Sequence, residues 1–133
     1  MQEPSIFTKI INGEIPSHKV YEDDRVIAFL TIQPFSEGHT LVIPKKQINQ
    51  IWDYEDDDYD YLWKTAKKIA LHLRSTMNAD RIGVVVKGFD VPHAHIHLIP
   101  IPHGTIVNLD PYPEPPLADN DNLASTAARI RMQ

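Results

Sequence analysis

An α+β domain built on a mainly antiparallel sheet is the fold the sequence predicts, and three observations predict it. Short β-prone runs follow one another at hairpin spacing. One long amphipathic helix stands between the third and fourth of them, and few other helical stretches separate the strands. At 133 residues, with 42% hydrophobic and 23% charged residues, the chain also has the size and balance of one globular domain spanning 1–133.

The elements follow in order. Ile6 to Ile11 is a short apolar turn of helix, closed by Asn12-Gly13 and fenced by Pro16. Lys19 to Glu22 and Val26 to Leu30 are β-prone runs joined through Asp23-Asp24, which predicts a hairpin. His39 to Ile43 is a third strand, stopped by Pro44. From Asp53 to about Asn78 runs the long helix, whose apolar stripe includes Leu62, Ala66, Ile69, Leu73 and Met77. Asp56, Asp57, Asp58 and Asp60 open it and Lys64, Lys67, Lys68 and Arg74 follow, an order that suits the helix dipole better than a metal loop. Arg81 to Val86 is the fourth strand and Val91 to Ile99 the fifth. A Pro-rich segment begins near residue 103, with four prolines between Thr105 and Leu117, and is expected to cross the surface in extended form. A last helix is expected around Leu123 to Arg131, capped from Asp119 to Asp121.

Composition narrows the function. No apolar run approaches the roughly 20 residues that span a bilayer, and no secretory signal is visible, so no membrane partner is expected. With no cysteine, the chain has neither a disulfide framework nor a thiolate zinc site, and a cytoplasmic setting is the simplest expectation. A net charge of −5 argues against a nucleic-acid partner held by bulk electrostatics.

Three of the seven histidines, His93, His95 and His97, alternate with Ala94, Ile96 and Leu98 on the fifth strand. Alternation puts them on one face. Chance placement on a sheet surface explains strict alternation poorly. A tri-histidine metal site fits less well than its ligand chemistry suggests, because three residues on a straight strand spread over about 13 Å. Nucleophilic and acid–base catalysis fits best: one imidazole attacks, a neighbour fixes its tautomer, and another serves the leaving group.

The run His-Ala-His-Ile-His-Leu-Ile at 93–99 resembles the histidine-triad motif of the histidine triad (HIT) nucleotide hydrolases and transferases. The resemblance extends to Ser5–Pro16, Val20–Asp24 and Pro34–Lys45, in order and spacing, and so covers roughly residues 5 to 102. It implies a five-stranded antiparallel sheet paired into a homodimer, with a nucleotide site along the triad. By the same resemblance His95 is the nucleophile at the α-phosphorus, His97 lies near the leaving group, and His93 supports His95. His39 matches an additional active-site histidine and Ile32 an apolar contact to the base, although core packing accounts for Ile32 equally well. Lys45 and Lys46 could be merely solvated.

Departures from the family pattern bear on metal and substrate. Where many relatives bind structural zinc through two cysteines and two histidines, this chain has Ser5, Thr8, Gln47 and His93. Hydroxyls and an amide are poor zinc ligands, so no metal is expected. Thr31 stands where an acidic residue accepts from the ribose, a single hydroxyl in place of two oxygens. Phe89 and Asp90 replace a polar pair before the triad, and Lys87-Gly88 shortens a glycine-rich loop. An ionised Asp90 repels a phosphate unless it pairs with Lys87 or a protonated histidine. The expectation is a nucleotide phosphoramidase or nucleotidyl hydrolase acting on a purine nucleotide, without a cofactor. The alternatives are a hydrolase of dinucleoside polyphosphates or adenylylated conjugates, and a nucleotide-binding regulatory module with little turnover.

Overall fold

The computed structural model describes residues 2–88, 91–110 and 113–132. Its elements are helix α1 (Ile6–Ile11), strands β1 (Lys19–Glu22), β2 (Val26–Leu30) and β3 (Thr40–Pro44), helix α2 (Asp56–Thr76), strands β4 (Ala79–Val85) and β5 (Ile96–Pro102), and helix α3 (Asn120–Ile130). The five strands form one sheet in the order β1-β2-β3-β5-β4, every neighbouring pair antiparallel. The α+β architecture and the antiparallel sheet are therefore as the sequence predicts. No helix among the described residues is long and apolar enough to cross a membrane.

Both faces of the central strands are covered, which explains why all five residues of β2 and of β3 are buried. Val26, Ala28, Leu30 and Val42 face Leu62, Ile69 and Leu73 of α2 and Ala127 and Ile130 of α3. Ile27, Phe29, Leu41 and Ile43 point the other way, onto Phe7 of α1. Alternation thus divides one continuous apolar run between two cores. The β1–β2 hairpin is pinned by Asp23. Its carboxylate accepts from the Arg25 and Val26 N–H groups at 2.8 Å and from the Tyr21 and Tyr61 hydroxyls at 2.6 Å. Burial pushes the Asp23 pKa up, but these donors outweigh it and bring it to about 2.

Several boundaries differ from the expected ones, and three of the shifts have a clear physical cause. Helix α2 begins at Asp56 rather than Asp53, because Ile51–Asp53 forms a separate 3-10 turn and Tyr54, extended and buried, donates its hydroxyl to the Lys46 carbonyl at 2.6 Å. Strand β5 starts at Ile96, not Val91, so only His97 of the triad lies on regular strand. The ladder with β3 stops at Val42↔Ile96, because the next positions would oppose Ala94 to Pro44, which has no N–H. The Ala94 N–H instead donates to the Ile48 carbonyl at 2.8 Å, and that of His93 to Val91 at 2.8 Å. At its far end β5 passes through Pro100 instead of stopping there. The Pro100 carbonyl accepts from Ser36 Oγ at 2.6 Å, on the side away from β4, and its donorless nitrogen points the same way.

Candidate active site

The triad keeps its alternation without a regular strand. Ala94, Ile96 and Leu98 enter the helix-side core, while His93 and His95 pack edge-on against Phe7 at centroid distances of 5.8 and 4.9 Å. All three histidines are buried. The rings of His95 and His97 are 4.9 Å apart, tilted at 54° to one another.

Two hydrogen-bond chains fix the tautomers. In the first, the His93 Nε2–H donates to the Pro44 carbonyl at 2.7 Å, so His93 Nδ1 accepts from the Ser5 hydroxyl, also at 2.7 Å. The His95 Nδ1–H donates to the His93 carbonyl at 2.7 Å. That bond puts the lone pair of the neutral His95 ring on Nε2. In the second chain the Phe35 N–H donates to His39 Nδ1 at 3.1 Å, so the His39 Nε2–H donates to His97 Nδ1 at 2.9 Å. His97 therefore carries its proton on Nε2, a buried position with no hydrogen-bond partner among the described residues. Site histidines thus present an acceptor nitrogen and a donor N–H from adjacent rings.

Burial governs the electrostatics. It lowers the pKa of His97 to about 2, helped by the neighbouring His95, His39 and Lys87, and that of His39 to about 3, helped by Lys87. His93 is lowered as well, by burial against the opposing effect of its bond to Pro44. These rings are neutral at pH 7.

Two clefts flank Lys87. One, about 310 Å³, contains His95 together with Trp52, Val86 and the amides Asn49 and Gln50. The other, narrow at about 50 Å³, brings Thr31, Phe35, His39 and His97 together. Phe35 stacks on His39 at an interplanar angle of 14°, and the Lys87 ammonium stands 5.9 Å from the Phe35 ring centroid. Of the residues singled out in the sequence, His39, Thr31, Lys87, His95 and His97 line these clefts, while His93 is fully buried behind them. Thr31 Oγ1 already accepts from the Gln33 N–H at 3.2 Å. Ile32 does not converge: it is 58% exposed and lines neither cleft. Asp90 and Phe89 lie outside the described residues. Lys45 and Lys46 pair with Glu22 and Asp58 at 2.8 Å each, away from the histidines. A larger cavity, about 450 Å³, lies between residues 34–38 and α3, but Glu37 on its wall is bonded to Thr126 and Arg129 and no triad histidine lines it. Phe7, Phe35 and Trp52 are contributors that sequence patterning misses, since each meets the site through contacts distant in the chain.

Ser5, Thr8, Gln47 and His93 do come together, but as a hydrogen-bonded cluster. Gln47 Oε1 accepts from the Ser5 N–H at 2.8 Å and from the Thr8 hydroxyl at 2.6 Å, and the Ser5 hydroxyl is taken by His93. One imidazole with two hydroxyls and an amide, already satisfied by one another, does not fit zinc.

A five-stranded antiparallel sheet carrying an alternating histidine array beneath a short N-terminal helix defines the histidine-triad class of α+β proteins. The family model for the HIT domain matches residues 12–104. The chain belongs to the HIT family. It is 44% identical over 100 residues to an uncharacterised HIT-like protein of Methanocaldococcus jannaschii, covering 71% of this chain and 77% of that one. Among solved structures, a HIT-like protein involved in cell-cycle regulation from Bartonella henselae superposes with a TM-score of 0.86 at 35% identity, covering 98% and 97% of the two chains. A hypothetical histidine triad nucleotide-binding protein from Sulfolobus tokodaii follows, with a TM-score of 0.84 at 29% identity and 95% and 89% coverage. A HIT family hydrolase from Legionella pneumophila matches at 0.65 and 32% identity, over 80% and 97%. Membership supports nucleotide-binding or hydrolase activity at the level of the family.

Proposed function

We propose that this chain is a nucleotide phosphoramidase acting at the α-phosphate through a nucleotidyl-His95 intermediate. His95 Nε2 attacks the phosphorus; the P–Nε2 bond forms as the bond to the departing amine breaks. The His97 Nε2–H donates to the departing nitrogen, whose protonation is completed from solvent. Water then attacks phosphorus, the P–Nε2 bond breaks, and a nucleoside monophosphate leaves with the ring restored to its neutral form. His93 orients His95 through its carbonyl, and His39 orients His97. Lys87 offsets phosphate charge, and Thr31 meets the ribose of a purine nucleotide.

The observation that carries this reading is the pairing of tautomers: His95 Nδ1–H is committed to the His93 carbonyl, and the adjacent His97 ring presents a buried Nε2–H. A phosphate on His95 Nε2 supplies an acceptor which that N–H lacks among the described residues. Hydrolysis of a purine nucleoside 5′-phosphoramidate, followed as monophosphate release, tests it. His95→Ala should lower kcat by at least about a thousandfold while nucleotide binding persists, because the attacking atom is removed and not a binding contact. Near-parent kcat in that variant contradicts the assignment.

A homodimer belongs to the same proposal. Strand β4 is a sheet edge, and its Val84, 50% exposed, stands beside the exposed Val86 on the face that carries α2. An uncovered apolar edge of this kind calls for a partner.

A further inference from the structure

We infer that Ser5 is a positioning residue for the nucleotidyl transfer: by donating its hydroxyl proton to His93 it fixes where the His93 proton sits, and so holds the carbonyl that aims His95. The inference rests on the phosphoramidase reading and adds to it a residue that acts through His93.

His93 is fully buried, and both nitrogens of its ring face fixed partners. The Pro44 carbonyl, 2.7 Å from Nε2, can only accept, so a proton must stand on Nε2. A neutral ring then has only a lone pair at Nδ1, and that buried nitrogen needs a donor. Two hydroxyls are near it, Ser5 Oγ at 2.7 Å and Thr8 Oγ1 at 3.5 Å. Gln47 decides between them. Its Nε2 donates to the Glu3 carbonyl at 2.8 Å, which leaves Oε1 as the acceptor facing α1. Oε1 takes the Thr8 hydroxyl proton at 2.6 Å and the Ser5 N–H at 2.8 Å. Ser5 Oγ accepts the Thr8 N–H at 3.0 Å as the cap of α1, so its own proton is left for His93. Each donor in this chain has one direction.

The consequence reaches the nucleophile. The His93 carbonyl accepts from His95 Nδ1–H at 2.7 Å, and Phe7, on the helix that Ser5 caps, packs edge-on against His95 at 4.9 Å. When His95 Nε2 bonds to phosphorus, its ring becomes cationic with Nδ1–H still in place, and the bond to that carbonyl strengthens. A His93 ring released at Nδ1 lets the carbonyl shift, which costs the transition state more than the substrate complex. Ser5 therefore acts on kcat and leaves KM nearly unchanged.

Two measurements on the full chain test this. In protein labelled with 15N-histidine, ring nitrogen shifts at pH 7 should show His93 protonated at Nε2 and bare at Nδ1; a neutral ring with its proton on Nδ1 overturns the proposal. The second compares Ser5→Asn with Ser5→Asp, which share a shape and cap a helix equally well, although only the Asn amide can donate to Nδ1. In hydrolysis of a purine nucleoside 5′-phosphoramidate, kcat should be at least about tenfold lower in Ser5→Asp than in Ser5→Asn, with KM within about twofold. Equal kcat in the two would reduce Ser5 to a helix cap, and a difference confined to KM would assign it to substrate binding; either overturns the proposal. A parent enzyme without turnover overturns the phosphoramidase reading itself, a result distinct from equal kcat in two active variants.

Discussion

Burial strips three of the site's histidines of their ordinary basicity, and folding must keep them neutral. Linkage then sets a pH dependence. In the unfolded chain these rings titrate near 6.5, whereas the folded values are about 3 for His39 and about 2 for His97, with His93 also lowered. The unfolded state therefore binds more protons below about pH 6.5, so stability is full above that pH and is lost as pH falls toward 3. The slope is at most about 1.4 kcal/mol per group for each pH unit. Urea unfolding at pH 7.0 and 5.5 should show a clear loss in the parent and a smaller one in His39→Gln, which removes one of the titrating rings. Identical slopes would show that His39 is not held neutral. At this scale the triad is legible in the sequence because alternation survives in 93–97 although the ladder does not. A period of two cannot distinguish a strand from an extended segment tied to Ile48. The resemblance puts His39 in the active site, but its bond to His97 is not legible, since 58 residues separate them and no local pattern links them.

Among the elements, the turn into β3 does the most to place the site, because it sets His39 opposite His97. Gly38 makes that turn possible. Its φ is +88°, and a Cβ there would stand 3.2 Å from both Met77 Cε and Pro100 Cγ. Gly38→Ala combines a left-handed backbone with overpacking, and should cost about 1–3 kcal/mol in chemical denaturation. A variant as stable as the parent would mean that the turn relaxes without strain. The elements themselves are largely legible: five strands and three helices stand within a few residues of their expected positions. What escapes are the edges governed by proline and tertiary contacts. Pro100 continues β5 because its nitrogen faces Ser36 instead of a ladder partner, and nothing local to Pro100 reveals which side that is. The 3-10 turn at Ile51–Asp53 is likewise hidden, since Tyr54 is drawn inward by the distant Lys46 carbonyl.

On the scale of the molecule, a polar clamp joins α1, the loop after β3 and the entry to the triad. Gln47 binds Ser5 and Thr8, Ser5 binds His93, and His93 binds Pro44. Because this clamp needs no metal, the purified protein should lack stoichiometric zinc and keep its activity and Tm in chelator. Elemental analysis finding one zinc per chain would contradict that. The exposed β4 edge leads to a second whole-molecule expectation, a symmetric dimer at micromolar concentration in sedimentation. A stable monomer would count against it.

The central claim is that His95 carries the nucleotide, and a rapid-quench experiment tests it most directly. Enzyme mixed with a purine nucleoside 5′-phosphoramidate is quenched in alkali, where a phosphorus–nitrogen bond to imidazole persists, and its peptides are mapped by mass. The nucleotidyl mass should appear on the peptide containing His95 during turnover, decay as substrate is exhausted, and be absent in His95→Ala. Full turnover with no adduct on His95 would contradict the account.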